Sequence, residues 1–318
     1  MNTTHELTQS AVNGMASPAE SPPHFSVIIP SFSRPVQLAR CLNAVAACDY
    51  PAMLYEVIVV DDGSPTPLDP RASWPSHAPT LKCLRQQNAG PAAARNHGAR
   101  AARGQFLAFL DDDCTPDHGW LAGLSAALER HPDALVGGHV TNILHENLFA
   151  EASQQLVSYL CGYYNRDPEQ ARFFTSNNLA VSREAFFAAG AFDDAYCRTA
   201  AEDRELCDRW LQQGRRLVAA PAAVVRHAHD LSMTSFVRQH FEYGKGAFQF
   251  HSARARRQAR PLRTEPLSFY IDLMTYPWRT GHRNAGVIVA LFVVAQAANA
   301  IGFFWQAAGT SRVARNPG

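Results

Sequence analysis

Apolar residues arrive in short unbroken runs, each closed by small or acidic ones. Residues 25–29 form one run, shut by Pro30. Residues 57–60 form a second, ending in Asp61-Asp62-Gly63-Ser64. Residues 106–110 form a third and run straight into Asp111-Asp112-Asp113. Continuous β-branched and aromatic runs of this length read as strands buried on both faces. The spacing between them changes to helical. Pro35 opens a pattern with Leu38, Leu42 and Val45 on one face, 91–102 is alanine-rich and stops before Gly104, and 119–130 follows Asp117 as a candidate cap. Strand and helix alternate, which predicts an α/β fold of βαβ units around a mainly parallel sheet. The stretch 64–80 is proline-rich and reads as a loop.

Beyond residue 140 the alternation loosens. A short strand is expected at 179–181, and helices at 183–189 and 201–213, the latter stopped by Gly214. Strand and turn are expected over 217–225, which Pro221 interrupts, and an aromatic helix over 231–253. The last apolar stretch, 285–308, contains no Asp, Glu, Lys, Arg or His. It exceeds the ~20 residues that a helix needs to cross a bilayer. Gln296, Asn299 and Gln306 share one face of it at helical spacing. Before it lies a basic cluster, Arg254, Arg256, Arg257, Arg260 and Arg263, then Arg279 and Arg283. Together these features predict membrane attachment, with the main body on the cytoplasmic face; a soluble cytoplasmic protein is the second reading. Arg312 and Arg315 beyond the run weaken the orientation.

Composition narrows the classes. At 318 residues the chain fits one or two domains, with a net charge of +1 and a hydrophobic fraction of 47%. That balance excludes wholesale disorder and a nucleic-acid partner held by bulk charge. Seven cysteines without a C-x-x-C suggest neither a disulfide framework nor a zinc ribbon. Residues 1–24 read as a flexible tail without the apolar core of a secretory signal. A main domain is expected over 25–230 and a helical extension over 231–318.

The chemistry concentrates in the acidic strand ends. In an open α/β sheet, ligands sit outside the carboxyl ends of the strands, so Asp61-Asp62 and Asp111-Asp112-Asp113 should share one crevice. One such aspartate would be an ordinary turn residue. At a strand end residues two apart point the same way, so Asp111 and Asp113 should face one side and Asp112 the other. Two carboxylates so placed suit Mg²⁺ or Mn²⁺, which complete their shell with water and substrate phosphates. A metal-bound diphosphate is therefore expected. Arg95 and the helix start near Gly90 would serve the same anion. No P-loop and no G-x-G-x-x-G is present.

VIIPSFSRP, EVIVVDDGS and QNAGPAAARNHGARAARGQFLAFLDDD stand in this order, followed by FTSNNLAVSREAFFAAGAFDD, AAEDRELCDRW, PAAVVRHAH and FVRQHFEYGKG. The set resembles family 2 glycosyltransferases over about residues 25–246. The resemblance implies a GT-A fold and inverting transfer from a nucleotide-diphosphate sugar to an acceptor hydroxyl; the basic cluster and the apolar run lean towards a glycan or lipid-linked acceptor, in cell-envelope polysaccharide, glycolipid or related glycan synthesis. It implies that Asp62, with Asp61 beside it, holds the base or ribose. Pro30 and Ser31 line the same pocket, as Arg95, Asp112 and Glu202 line the donor site. Asp111 and Asp113 match the metal-binding D-x-D, and His227, rather than His229, approaches the metal or diphosphate. Asp203 matches the catalytic base. Its simpler role would be a carboxylate favoured by the helix dipole at 201. Asn177 and Asn178 are candidate sugar contacts; Trp120 and Tyr243 are expected chiefly in the core.

Two other classes compete. A sugar-phosphate nucleotidyltransferase needs a glycine-rich loop with an arginine after its first strand, where Pro30-Ser31-Phe32-Ser33 stands. A non-catalytic, membrane-associated nucleotide-sugar-binding protein would tolerate loss of Asp203 or the D-x-D, and both are present.

Overall fold

A computed structural model describes residues 22–196, 200–258 and 265–315. Most of the expected tail, with Arg260 and Arg263 of the basic cluster, lies outside them. The three apolar runs form β1 (Phe25–Ser31), β2 (Tyr55–Asp61) and β4 (Phe106–Leu110), buried along their whole length. With β3 (Thr80–Arg85) they make a parallel half-sheet in the order β3-β2-β1-β4. Helices α1 (Pro35–Ala46) and α2 (Pro91–Ala101) are the crossovers, each with proline in its first turn, where a missing N–H costs nothing. Pro30 lies within β1 rather than ending it, and Ser31 stays in register with Asp61.

The second half of the sheet departs from the parallel expectation. After β5 (Cys114–Pro116), α3 (Trp120–Arg130) and β6 (Leu135–Asn142) come α4 (Leu148–Tyr164) and β7 (Asn178–Ser182). β7 runs antiparallel to both β4 and β6. Then follow α5 (Arg183–Ala188), α6 (Glu202–Gln212) and β8 (Leu217–His227). β8 does not turn at Pro221. Its register against β6 jumps from Ala220 to Val224, so the proline sits in a bulge where its missing donor is harmless. The strand therefore continues and delivers His227 opposite Cys114 of β5. Asp117 does not cap α3; its carboxylate pairs with Arg226 at 3.0 Å.

Three helices complete the chain: α7 (Met233–Gln258), α8 (Leu267–Arg279) and α9 (Ala285–Arg315). α9 lies on α7 at glycines. A Cβ on Gly244 would overlap the Asn299 carbonyl, and one on Gly302 that of Phe241. Backbones come this close only without side chains between them. A separate apolar cluster holds Leu156 and Tyr159 of α4, Phe269 and Leu273 of α8, and Ile288, Leu291 and Phe292 of α9. The basic cluster is partly spent inside the fold: Arg254 pairs with Asp208 at 3.2 Å and Arg257 with Glu205 at 2.5 Å, tying α7 to α6. Those two arginines do not form the free basic face expected of them.

Candidate functional site

A cavity of about 1120 Å³ opens at the carboxyl ends of β1, β2 and β4. Its wall includes Pro30, Ser31, Asp62, Arg95, Asp111, Asp112, Asp113, Glu202, Asp203 and His227. Residues separated by up to about two hundred positions thus meet at one place. Asp61 does not line it. Its oxygens accept from the Ser64 amide at 2.9 Å and the Leu68 amide at 3.3 Å, and pair with Arg85. Asp62 lines the cavity while accepting from the Ala89 and Gly90 amides, both at 2.9 Å, and from Gln86 at 2.8 Å. Those bonds pin the β3–α2 loop over the strand ends.

The acidic triplet is arranged differently from a continued strand. β4 ends at Leu110, so the pleat does not extend through Asp111–Asp113. Asp111 meets Arg95 at 2.5 Å, while Asp112 and Asp113 share Arg34 at 3.2 and 3.0 Å. Ser31 donates to Asp112 at 2.6 Å. Burial, with the charges of Asp113 and Asp111, pushes the Asp112 carboxyl up to about 6, against the pull of Ser31 and Arg34. Asp113 goes the other way. Burial opposes its charge, yet hydrogen bonds from His227 and His229, with the charge of Arg34, hold it well below the usual carboxylate range.

His227 and His229 both reach Asp113, through Nε2 at 3.2 Å and Nδ1 at 3.1 Å. The chain path explains this. β8 pairs with β5, and the Ala228 amide donates to the Asp113 carbonyl at 2.8 Å. One carboxylate and two imidazoles suit a hard or borderline divalent cation such as Mn²⁺. Arg34, half exposed and bridging two buried carboxylates, marks where positive charge is wanted. Cys114 lies in the same cluster as Asp113 and His227, but complete burial keeps its thiol protonated, and a thiol is a poor ligand for hard ions.

On the facing wall, Ala201 adopts φ +98°, a conformation disfavoured without glycine, and α6 starts immediately after it. Its neighbour Ala200 lies so close to Gly246 of α7 that a Cβ there would overlap the Ala200 carbonyl. This contact fixes the entry to α6 and so fixes Glu202 and Asp203. Glu202 pairs with Arg95 at 2.9 Å. Arg95, 3% exposed, thus bridges the acidic triplet and the Glu-Asp pair. Burial and the Glu202 charge push the Asp203 carboxyl up to about 7, against an amide bond from Arg204 and the charge of Arg95.

The profile of the family described as Glycosyl transferase family 2 matches residues 26–194, more than half of the chain. The chain belongs to that family. Among curated proteins, it is 30% identical over 236 residues to a pre-mycofactocin glycosyltransferase of Mycobacterium tuberculosis, covering 72% of this chain and 48% of that protein. It is 40% identical over 120 residues to glycosyltransferase AglE of Haloferax volcanii, covering 37% of this chain and 40% of the relative. The chain thus spans about half the length of the first and less of the second. Its fold is similar to that of a mannosyltransferase from Pyrobaculum calidifontis, solved with GDP-Man and Mn²⁺. The TM-score is 0.57 at 19% identity, over 93% of this chain and 82% of the other. GalNAc-T7, solved with UDP, GalNAc and Mn²⁺, gives 0.54 at 18% identity over 84% and 59%. The fold is therefore the GT-A one expected, followed by C-terminal helices.

Within this family framework the structure adds Arg34 and decides between roles for residues already named. Arg34 sits three positions beyond Ser31 and carried no sequence signal of its own. His229 reaches Asp113 as closely as the favoured His227. Tyr243 lines the cavity, as does Asn177, whereas Trp120 is buried and donates to Asn178 at 2.9 Å. Asn178 also donates to the His139 and Ala223 carbonyls, a structural role across the β6–β8 bulge.

Proposed function

We propose that this protein is an inverting, metal-dependent glycosyltransferase that moves a sugar from a nucleotide-diphosphate sugar to an acceptor hydroxyl, with Asp203 as the base. The observation that carries this reading is the meeting of two carboxylates in opposite environments in one cavity: Asp113 within reach of two histidines and held low, and Asp203 buried beside Glu202 and pushed up to about 7. A base titrating near neutrality is well matched to a hydroxyl proton, because enough of it is ionised and the proton it takes is held firmly.

In this reading Pro30, Ser31 and Asp62 shape the nucleotide end. Asp61 supports it from behind, by closing the turn after β2. Asp113 with His227, joined by His229, would hold the cation, with Asp111 as the further carboxylate of the triplet. Mg²⁺ or Mn²⁺ held there would supply positive charge to the leaving diphosphate. Arg34 shares that work from the half-exposed rim. The acceptor oxygen forms its bond to the anomeric carbon on the face opposite the diphosphate, the carbon–diphosphate bond breaks, and the hydroxyl proton passes to Asp203. Burial and the Glu202 charge keep the Asp203 carboxyl basic, and Arg95 holds Glu202 in place at 2.9 Å. The Mn²⁺ and nucleotide ligands of the two solved neighbours support the donor class.

Membrane attachment on the cytoplasmic face is part of the proposal. α9 is apolar and long enough to cross a bilayer over Ala285–Thr310, with mean hydropathy 2.2, and Arg279 and Arg283 precede it. Glycan assembly at the cell envelope fits that location.

Calorimetry with UDP, GDP, dTDP and CDP tests the reading, in Mn²⁺ and then in excess chelator. One nucleotide is expected to bind, and to bind at least tenfold more weakly after chelation or in Asp113→Ala. Absence of binding by all four would remove the chemical basis of the assignment. A protein that binds donor but gives no turnover with or without Asp203 would be the non-catalytic alternative.

A further inference from the structure

The cavity does not end at the acids. It continues between α4, α7, α8 and α9, and its 1120 Å³ exceeds the ~300–1,000 Å³ usual for a single small ligand. Its lining changes along the way. The carboxylates of Asp111–Asp113, Glu202 and Asp203 give way to Gln239, Gln296 and Asn299, and the lining contributed by α4, α8 and α9 includes Leu156, Leu160, Phe269, Leu273 and Phe303. Two of the three amides on the apolar α9 thus face the cavity, which accounts for their presence in an otherwise lipid-like helix. The two regions are close. Arg204, next to Asp203, lies 6.0 Å from the ring of Tyr164, one turn beyond Leu160 on α4. The apolar limb borders the outward surface of α8 and α9, where Tyr270, Ile271, Ile301 and Phe304 are exposed. Tyr270 and Phe304 belong both to that surface and to the cavity wall.

One wall of the cavity thus carries carboxylates, and the part lined by α4, α8 and α9 is mainly apolar, with Glu265 and His251 among its few polar groups; such a two-part lining matches an amphiphilic molecule. We infer that the acceptor is an amphiphile: its hydroxyl-bearing head lies at Asp203 and its long hydrocarbon chain lies in the limb between α4, α8 and α9. This rests on the glycosyltransferase reading and adds the acceptor's chemical class to it. The chain enters from the bilayer side, so the acceptor need not leave the membrane to be glycosylated. A lipid that merely fills the groove, unrelated to the acceptor, is the competing occupant.

The test uses the full chain in lipid nanodiscs, with Leu160→Trp and Ala300→Trp to fill the limb. Ala300 is exposed, so its substitution does not disturb the core. Trp278→Ser, on the exposed face but away from the cavity lining, is the control. The first readout is fluorescence of dansyl-undecanoic acid, an alkyl-chain probe. Binding is expected in wild type and Trp278→Ser, and at least tenfold weaker in both tryptophan variants, whose nucleotide affinity by calorimetry is unchanged. Probe binding that is absent, or indifferent to both variants, overturns the limb as a chain site. The second readout offers labelled sugar nucleotides of the base that binds to a membrane-lipid extract and to a water-soluble extract. Labelled product is expected in the organic phase, reduced at least tenfold in the limb variants. Product confined to the aqueous phase overturns the acceptor class and leaves the groove to an ordinary lipid. No nucleotide binding, or no product from either extract, counts against the glycosyltransferase reading itself.

Discussion

Asp203 carries the sharpest expectations. Removing its carboxylate as Asp203→Asn should lower kcat by ~10²–10⁴ and leave nucleotide affinity near wild type, because the base acts only as the proton moves. The pH profile follows from its environment. The base works ionised and its carboxyl is pushed up to about 7, so kcat/KM should rise about tenfold per pH unit below 7 and level above it. Stability should run the opposite way. An unfolded aspartate titrates near ~3.9, and the folded carboxyl titrates higher. Its favourable contribution is complete below about pH 4 and is lost as the pH rises through 7. Asp203→Asn should therefore melt above wild type at pH 8, with the difference shrinking towards pH 4. Calorimetric melting at the two pH values checks the sign. At the metal site, Arg34→Ala leaves Asp112 and Asp113 without their guanidinium, so Mn²⁺ should raise the Tm of this variant more than that of wild type, and chelator should abolish the difference.

At the scale of elements, the entry to α6 is set by backbone contact rather than by capping. Ala201 holds a left-handed conformation that costs roughly 1–2 kcal/mol for a residue with a Cβ. Ala201→Gly should relieve it, with the gain reduced by glycine's greater freedom in the unfolded chain. Denaturant melts should thus show a change within about 1 kcal/mol. Gly246→Ala is different, since a methyl there drives into the Ala200 carbonyl. It should lower kcat while leaving the nucleotide end, built on β1, β2 and β4, intact in calorimetry. A fall in nucleotide affinity equal to the fall in kcat would mean that the contact supports the whole fold and not the position of Asp203.

For the molecule as a whole, the proposed membrane attachment rests on α9. α9 packs on α7 along one side and exposes Val287, Val293, Ile301 and Trp305 on others. Burying a large apolar side chain is worth about 1.5–3 kcal/mol. Ile301→Ser with Trp305→Ser should therefore weaken co-sedimentation with vesicles about tenfold or more. Turnover in detergent should persist, since neither residue lines the cavity.

Much of this was already written in the chain. Continuous apolar runs, two of them ending in aspartates, fix β1, β2 and β4 and the side on which a ligand sits, because burial on both faces and a turn at the strand end are local demands. The ordered motifs identify the family for the same reason: each is a contiguous set of residues. The triplet shows where local reading stops. Alternation paired Asp111 with Asp113, but the strand ends at Leu110 and the partners come from elsewhere: Arg34 from the start of α1, Arg95 from α2, and the two histidines from the end of β8. Pro221 signalled a turn, and only pairing with β6 revealed a bulge that lets β8 run on to His227. Helical spacing put the amides of α9 on one face, and only packing against α4, α7 and α8 placed Gln296 and Asn299 on the cavity wall. Charge pairing, strand register and the shape of a shared cavity all depend on residues far apart in sequence. They are settled only when the elements pack, because the energy of each lies in a partner that the local sequence does not contain.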